Sequence, residues 1–288
     1  LVMVAAGEHM HELGRVALPD DAWGLALSPD GQTAYVTSAW TRKLSRVAVA
    51  SAGMEVAWSV DVAREPRGVM VTNDGKRAYV SHLVGPALTS VELAPTAADA
   101  RVTRVSLPPD PLETLSGETT VSASLAYSLI PSADGRRLFV ARHALGAMWS
   151  WQGRPTVDGL EIATNEPLAP VRKGKPYGQF TQNELDQMGW ISDASGTRAE
   201  GDGMGGSQPR AMILRRKTNH LLVVSEGEAI VSELDAMSIA PGLITNRIYR
   251  LGGLPKARLP AMQFPPECGA PSAIALSRSE DVAWVYCR

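Results

Sequence analysis

Basic and aromatic side chains recur at two positions of a sixteen-residue pattern that occurs five times in the sequence. The set comprises two aromatic residues, three arginines and two histidines: Trp23, Tyr127, Arg67, Arg142, Arg210, His82 and His143. Guanidinium groups bind carboxylates and phosphates through paired hydrogen bonds, and aromatic rings supply walls beside them. If the fold brings these residues to one opening, they predict a ligand-binding site for a small anion. The alternative is that each arginine pairs with a nearby Asp or Glu on a solvated rim.

This hypothesis makes a mutational expectation. Replacement of Arg67 or Arg142 by alanine should weaken binding of an anionic ligand with little loss of stability. Unfolding of both variants would instead identify the two arginines as structural elements.

The segment from Glu8 to Glu12 is the most metal-like part of the sequence. In a strand, His9 and His11 would face one way and reach one ion. No third ligand is identifiable, so no metal site is expected, and two solvent-facing histidines are the alternative.

Cys268 and Cys287 are the two cysteines of the chain. They stand at the two ends of one predicted hairpin, which returns to roughly the same edge, so a disulfide is geometrically reasonable. A disulfide suits an extracytoplasmic location, namely the periplasm, the cell surface or the secreted state. Two buried free thiols are the alternative. The chain has no Cys-x-x-Cys-His motif for covalent haem, so no cofactor is expected within this segment.

The elements that must position these residues are hairpins. The five copies begin at residues 23, 67, 127, 210 and 272, and each has an apolar strand, a polar turn and a second apolar strand. In the first three copies the turn contains Asp-Gly, a strong hairpin signal because glycine adopts positive φ readily. Further strand pairs follow, at 44–50 with 55–62, 88–93 with 101–107, and 229–234 with 247–251. Four strands per unit predict antiparallel propeller blades, with a β-sandwich as the alternative.

The stretches LALSPDGQTAYVTS and VMVTNDGKRAYVSH resemble the YVTN family of β-propeller repeats, in which an SPDG…YV hairpin opens each blade. The resemblance covers most of the chain and implies an all-β fold, a β-propeller of four-stranded antiparallel blades. It does not define one function, because propellers include lactonases, dehydrogenase subunits, haem enzymes and binding modules.

We expect residues 1–288 to form a single β-propeller domain with a long insertion at about 146–208, interpreted as a cap or docking surface. Leu1–Gly7 matches Leu221–Gly227, which predicts that the chain starts at the second strand of a blade. The expected content is five repeats plus a part-blade, from a parent propeller of six to eight blades. Both ends suggest a segment of a longer chain.

The composition and the absence of motifs disfavour several classes of binding partner and activity. The 288 residues are 44% apolar and carry a net charge of −2, which disfavours disorder and a generic nucleic-acid surface. No apolar run is long enough for a membrane span. No nucleophile or metalloprotease motif occurs. The sequence favours a non-catalytic extracytoplasmic propeller, a binding or scaffold module whose partner is a small anionic ligand or a protein domain.

Two alternatives remain open. One is a lactonase-like hydrolase that uses the arginines and histidines, and the other is the propeller part of a c-type cytochrome or peroxidase-like redox protein. In those cases a divalent metal or a haem would belong to the full protein.

Overall fold

The computed structural model describes most of the chain. The described residues are 1–5, 7, 9–107, 110–114, 117–121, 123–144, 154–168, 208–226, 230–236, 245–250, 268 and 270–288. They fall into two compact units, Leu1–Leu107 and Pro108–Arg288. Every regular element in these ranges is a β-strand, and they include no helix that could cross a membrane. Of the expected single domain and its insertion at about 146–208, residues 146–153 and 169–207 lie outside the described ranges.

The first unit contains one hairpin and two four-stranded antiparallel sheets. Sheet 1 has the order β3-β4-β5-β6 and sheet 2 the order β7-β8-β9-β10. The strands are β1 (Val2–Ala5), β2 (His11–Arg15), β3 (Ala22–Leu27), β4 (Thr33–Ser38), β5 (Lys43–Ala50), β6 (Gly53–Asp61), β7 (Pro66–Val71), β8 (Arg77–His82), β9 (Ala87–Glu92) and β10 (Arg101–Ser106).

The core of the first unit lies between sheets 1 and 2. Apolar side chains from alternate strand positions face it, because successive residues of a strand point to opposite faces. Tyr35 and Trp58 pack with their ring centres 6.2 Å apart. The indole N–H of Trp58 donates to the carbonyl of Ala94 at 3.0 Å, which satisfies the polar end of a buried ring. Sheet 1 is therefore fixed against the chain that follows strand β9.

A glycine sets the close approach of the first strands of sheets 1 and 2. A Cβ at Gly24 would lie 2.1 Å from the carbonyl oxygen of Arg67. The Thr37 hydroxyl accepts from the Gly24 N–H at 2.8 Å and donates to the same Arg67 carbonyl at 2.7 Å. Strands β3 and β7 consequently lie side by side near their starts.

Among its described residues, the second unit contains two hairpins and two four-stranded antiparallel sheets. Sheet 3 has the order β13-β14-β15-β16 and sheet 4 the order β17-β18-β19-β20. The strands are β11 (Asp110–Thr114), β12 (Gly117–Val121), β13 (Ala123–Pro131), β14 (Arg137–Ala144), β15 (Arg154–Glu161), β16 (Glu166–Pro167), β17 (Pro209–Arg215), β18 (His220–Ser225), β19 (Ile230–Asp235), β20 (Thr245–Arg250), β21 (Pro271–Leu276) and β22 (Ala283–Cys287).

Sheet 4 is the centre of the second unit. On one side Phe139 and Val157 of sheet 3 pack against Met212 and Val223 of sheet 4. On the other side the hairpin β21–β22 packs against sheet 4. The first strands β13, β17 and β21 are neighbours in that order. Within the second unit, sheet 4 thus packs face to face with its neighbours on both sides, with the first strands adjacent.

The predicted hairpin turns are confirmed in detail. Gly31, Gly75 and Gly135 have φ of +71°, +70° and +69°, values that glycine adopts at little cost. Before each, a Ser or Thr hydroxyl donates to the aspartate two residues later, as Ser28 does to Asp30 at 2.5 Å. The fourth and fifth turns, which lack glycine, have positive φ at Asn219 and Glu280 instead.

Two expectations need correction. The predicted insertion at 146–208 includes residues 154–167, which form β15 and β16 of sheet 3, because Val157 and Leu160 complete its buried face. The expected start at a second strand is also wrong. Strands β1 and β2 form a two-stranded sheet, and β2 leads directly into β3, the first strand of sheet 1, so one strand and not two separates β1 from the next first strand. The total number of blades stays a prediction.

Candidate functional site

In the first unit, the starts of β3 and β7 bring Trp23 and Arg67 together. The Arg67 guanidinium carbon lies 4.3 Å from the centre of the Trp23 ring. Its Nη2 donates to Glu65 at 2.7 Å, and its Nη1 lies 3.9 Å from Asp21. We call these four residues the Arg67 cluster. One guanidinium faces two carboxylates there, so the local side-chain charge is negative and disfavours an anion.

Arg67 is also nearly inaccessible. Its side chain is 9% exposed, and its Nε and Nη1 atoms have no hydrogen-bond partner among the described residues. The stacked ring and the paired carboxylate therefore hold a buried cation whose hydrogen bonding is incomplete.

In the second unit the same pairing recurs between the middle of β13 and the start of β17. The Arg210 guanidinium carbon lies 4.0 Å from the centre of the Tyr127 ring. Arg210 Nε pairs with Glu226, which also lies 3.4 Å from the guanidinium of Arg288. Gln208 Oε1 accepts from Arg210 Nη2 at 3.4 Å. We call these five residues the Arg210 cluster.

The two clusters differ in charge and access. In the Arg210 cluster two guanidinium groups share one carboxylate, so the local side-chain charge is positive. The Arg210 side chain is 19% exposed and that of Arg288 is 56% exposed. An incoming carboxylate could therefore reach both cations without breaking a buried ion pair.

Arg142 is placed differently from the other two arginines. Its Nε donates to Asp158 of the adjacent strand at 2.6 Å, and the two side chains are 1% and 8% exposed. A solute could reach this guanidinium only if the ion pair opened. The expectation that an Arg142→Ala variant keeps its stability is therefore revised, because the change would leave a buried carboxylate unpaired.

His82 is buried and neutral. Its Nδ1 lies 3.0 Å from the carbonyl oxygen of Arg64, which can only accept, so Nδ1 carries the proton. Its Nε2 lies 2.8 Å from the Thr89 hydroxyl and accepts from it. Burial lowers the pKa of His82 to about 4, and the hydrogen bond to the Arg64 carbonyl offsets only part of that effect.

His143 is the corresponding imidazole of the second unit. Its Nδ1 accepts from the backbone N–H of Gln208 at 3.2 Å, which links the end of β14 to the approach of β17. Burial lowers the pKa of His143 to about 4. Each imidazole thus hydrogen-bonds to the backbone just before the strand that carries Arg67 or Arg210. Contact of either imidazole with a ligand stays a prediction.

Six charged or polar side chains around the three arginines are missing from the sequence prediction: Asp21, Glu65, Asp158, Gln208, Glu226 and Arg288. Glu65 and Gln208 each stand two positions before an arginine, and this spacing is a signal that the sequence offers. Asp158 gives no such signal, because it meets Arg142 only through the register of β14 with β15.

The structure also places the two cysteines and the two histidines near the start of the chain. Cys268 and Cys287 form a disulfide with their Cα atoms 5.0 Å apart. His9 lies in a bend before β2, whereas His11 begins that strand, so they do not share a strand face as expected. Across the described ranges, no three His, Cys, Asp or Glu residues group in a way that could hold a metal ion.

Repeated four-stranded antiparallel sheets with adjacent first strands define the β-propeller class of fold, and comparison with solved structures supports it. The chain is similar to a periplasmic gluconolactonase of Pseudomonas aeruginosa, at 15% identity over 79% of this chain and 53% of that one, with a TM-score of 0.52. It is also similar to the Cps50 (Swd1) β-propeller domain of Myceliophteria thermophila, at 12% identity, 92% and 66% coverage, and a TM-score of 0.52.

A chain of the nidogen/laminin complex is similar at 10% identity over 96% of this chain and 76% of that one, with a TM-score of 0.53. The chain spans about half the length of the gluconolactonase. No family model and no curated protein matches the sequence. At these identities the likeness defines the fold alone.

Proposed function

We propose that this chain is part of an extracytoplasmic β-propeller of six to eight blades that acts as a non-catalytic binding module for an anionic ligand. The observation that carries the proposal is the Arg210 cluster, where two guanidinium groups share the carboxylate of Glu226. Tyr127 fixes the plane of Arg210, so less side-chain freedom is lost when a ligand binds. The disulfide Cys268–Cys287 supports the extracytoplasmic location.

The other candidate arginines support a scaffold rather than a reacting centre. Arg67 and Arg142 are both buried against carboxylates, and each joins two strands of its own unit. Rigid packing around the accessible Arg210 cluster suits recognition of a carboxylate ligand or of an acidic side chain on a protein partner.

A lactonase-like hydrolase is the second candidate. The observation that favours it is the similarity to the periplasmic gluconolactonase. One ligand pair separates the two functions, because hydrolysis of the neutral gluconolactone yields the anion gluconate. A binding module should bind gluconate and leave the lactone to its spontaneous hydrolysis, whereas a lactonase should accelerate that hydrolysis.

The experiment measures gluconate binding by calorimetry and lactone hydrolysis by pH-stat on the same samples. Arg210→Gln should weaken gluconate binding about tenfold, because a charge-assisted hydrogen bond is lost. Glu226→Gln should tighten binding by about threefold or more, because it removes the competing carboxylate. Arg136→Gln, an exposed arginine in the β13–β14 turn, is the matched control and should change neither. Lactone hydrolysis above background that disappears in Arg210→Gln would establish the hydrolase, and failure of gluconate and other small carboxylates to bind would refute the anion site.

A further inference from the structure

A cavity in the second unit lies at the opposite end of β17 from Arg210. It has a volume of about 360 Å³ and sits where β13, β17 and β21 end, beside the turns that follow β17 and β21. Its floor is apolar and comes from three successive first strands: Ile130, Pro131, Ile213, Leu214 and Leu276. The volume falls in the range of small-molecule sites.

Two arginines stand on the wall of this cavity. Arg216 and Arg278 belong to the two turns and are both exposed, and neither forms an ion pair with any described residue. The other charged lining residue, Glu280, accepts a hydrogen bond from the backbone N–H of Lys217 at 2.9 Å. The lining therefore combines an apolar floor with a net positive wall.

The two turns are held in place by direct contacts. Besides the bond to Glu280, the Lys217 ammonium donates to the carbonyl of Ser279 at 2.6 Å. Ser277 Oγ accepts from the backbone N–H of Val282 at 3.1 Å, which closes the second turn. Direct hydrogen bonds therefore join the two turns that form the cavity wall.

We infer that this cavity binds a small amphipathic carboxylate, with its hydrocarbon body on the apolar floor and its carboxylate against Arg216 and Arg278. Charge complementarity favours the anion, because a neutral molecule of the same shape would gain no ion pair with the two guanidinium groups. The apolar floor selects the hydrocarbon, because each buried methylene adds favourable transfer free energy. The site is separate from the Arg210 cluster and does not rest on its function.

The test titrates octanoate into the full chain, with methyl-labelled isoleucine and leucine as the NMR probe. Octanoate should shift the methyl signals of Ile130, Ile213 and Leu276. Affinity should rise along the series from butyrate to octanoate, by up to about fourfold per methylene. The neutral analogue 1-octanol should bind more weakly than octanoate.

Two exposed-residue variants examine the charged wall. Arg216→Gln and Arg278→Gln should each weaken octanoate binding about threefold, the effect of one exposed ion pair. Arg136→Gln, in the neighbouring turn but outside the cavity lining, should leave binding unchanged. Equal affinity for octanol and octanoate, equal loss in all three variants, or methyl shifts confined to other residues would overturn the assignment. A failure of octanoate where an acidic, apolar peptide shifts the same methyl signals would also overturn it, in favour of a protein partner.

Discussion

Replacement of Asp158 by asparagine tests how much the buried ion pair between Arg142 and Asp158 contributes to stability. The change keeps the size of the side chain and removes its charge, leaving the Arg142 guanidinium 1% exposed and without its carboxylate partner. Breaking one side of a buried ion pair costs about 3–5 kcal/mol of unfolding free energy. A surface pair would cost about 1 kcal/mol or less.

The chain provides a matched control on the same two strands. Arg137 and Glu161 also pair across β14 and β15, at 3.1 Å, but their side chains are 33% and 37% exposed. Urea unfolding of Asp158→Asn should show a midpoint lowered by about 1–1.7 M, for a urea dependence of about 3 kcal/mol per M. Glu161→Gln should lower it by about 0.3 M or less.

A third variant separates charge burial from packing. If the cost arises from an unpaired buried charge, the double replacement of Arg142 and Asp158 by leucine should be less damaging than Asp158→Asn alone. Equal midpoints for Asp158→Asn and Glu161→Gln would refute the reasoning, because the two ion pairs would then contribute alike despite their different exposure.

Two further predictions concern pH and redox state. Because the pKa of His82 is lowered to about 4 from 6.5, the unfolded chain takes up a proton between these values that the folded chain does not. Stability should therefore be full above pH 6.5 and fall as the pH is lowered, by up to about 1.4 kcal/mol per pH unit for His82 and by a similar amount for His143, whose pKa burial also lowers to about 4. His82→Asn should remove about half of this slope in urea unfolding at pH 7, 6 and 5, with His11→Gln as control, and an unchanged slope would contradict the cause given. The disulfide joins Cys268 and Cys287, which are 19 residues apart. Cys287→Ser should therefore lower the unfolding free energy by about 3 kcal/mol, as measured by urea unfolding. Equal unfolding free energies for the variant and the oxidised protein would argue against a stabilising disulfide.

The hairpins could be predicted because their signals are local. Asp-Gly at 30–31, 74–75 and 134–135 specifies the turn, and the apolar runs on either side specify the strands. Strands β15 and β16 were harder, since the wide spacing between the third and fourth repeats shows that residues have been added without showing where. The hairpin β11–β12 was not predicted either, because it lies in residues added between the second and third repeats, where the sequence carries no copy of the pattern.

The sequence predicts the aromatic and arginine residues of the candidate site but not the carboxylates that pair with the arginines. Position in the repeat correctly brings Trp23 to Arg67 and Tyr127 to Arg210, because equivalent residues of successive first strands become neighbours. Sequence does not show the counter-charges that decide whether such an arginine can accept an anion. Glu226 meets Arg210 through strand pairing, and its presence depends on register, which one sequence does not reveal.

The turn after β21 has a consequence for the order of the repeats. Glu280 adopts a φ of +58°, a conformation that glycine would occupy more easily, and in return it receives the backbone N–H of Lys217 from the preceding hairpin. Hairpins with identical glycine turns could exchange places along an array. For these two hairpins an exchange would break the hydrogen bond between Lys217 and Glu280, which forms only when the hairpins are consecutive. Any rearranged or shortened version of the array should keep this pair intact and in sequence.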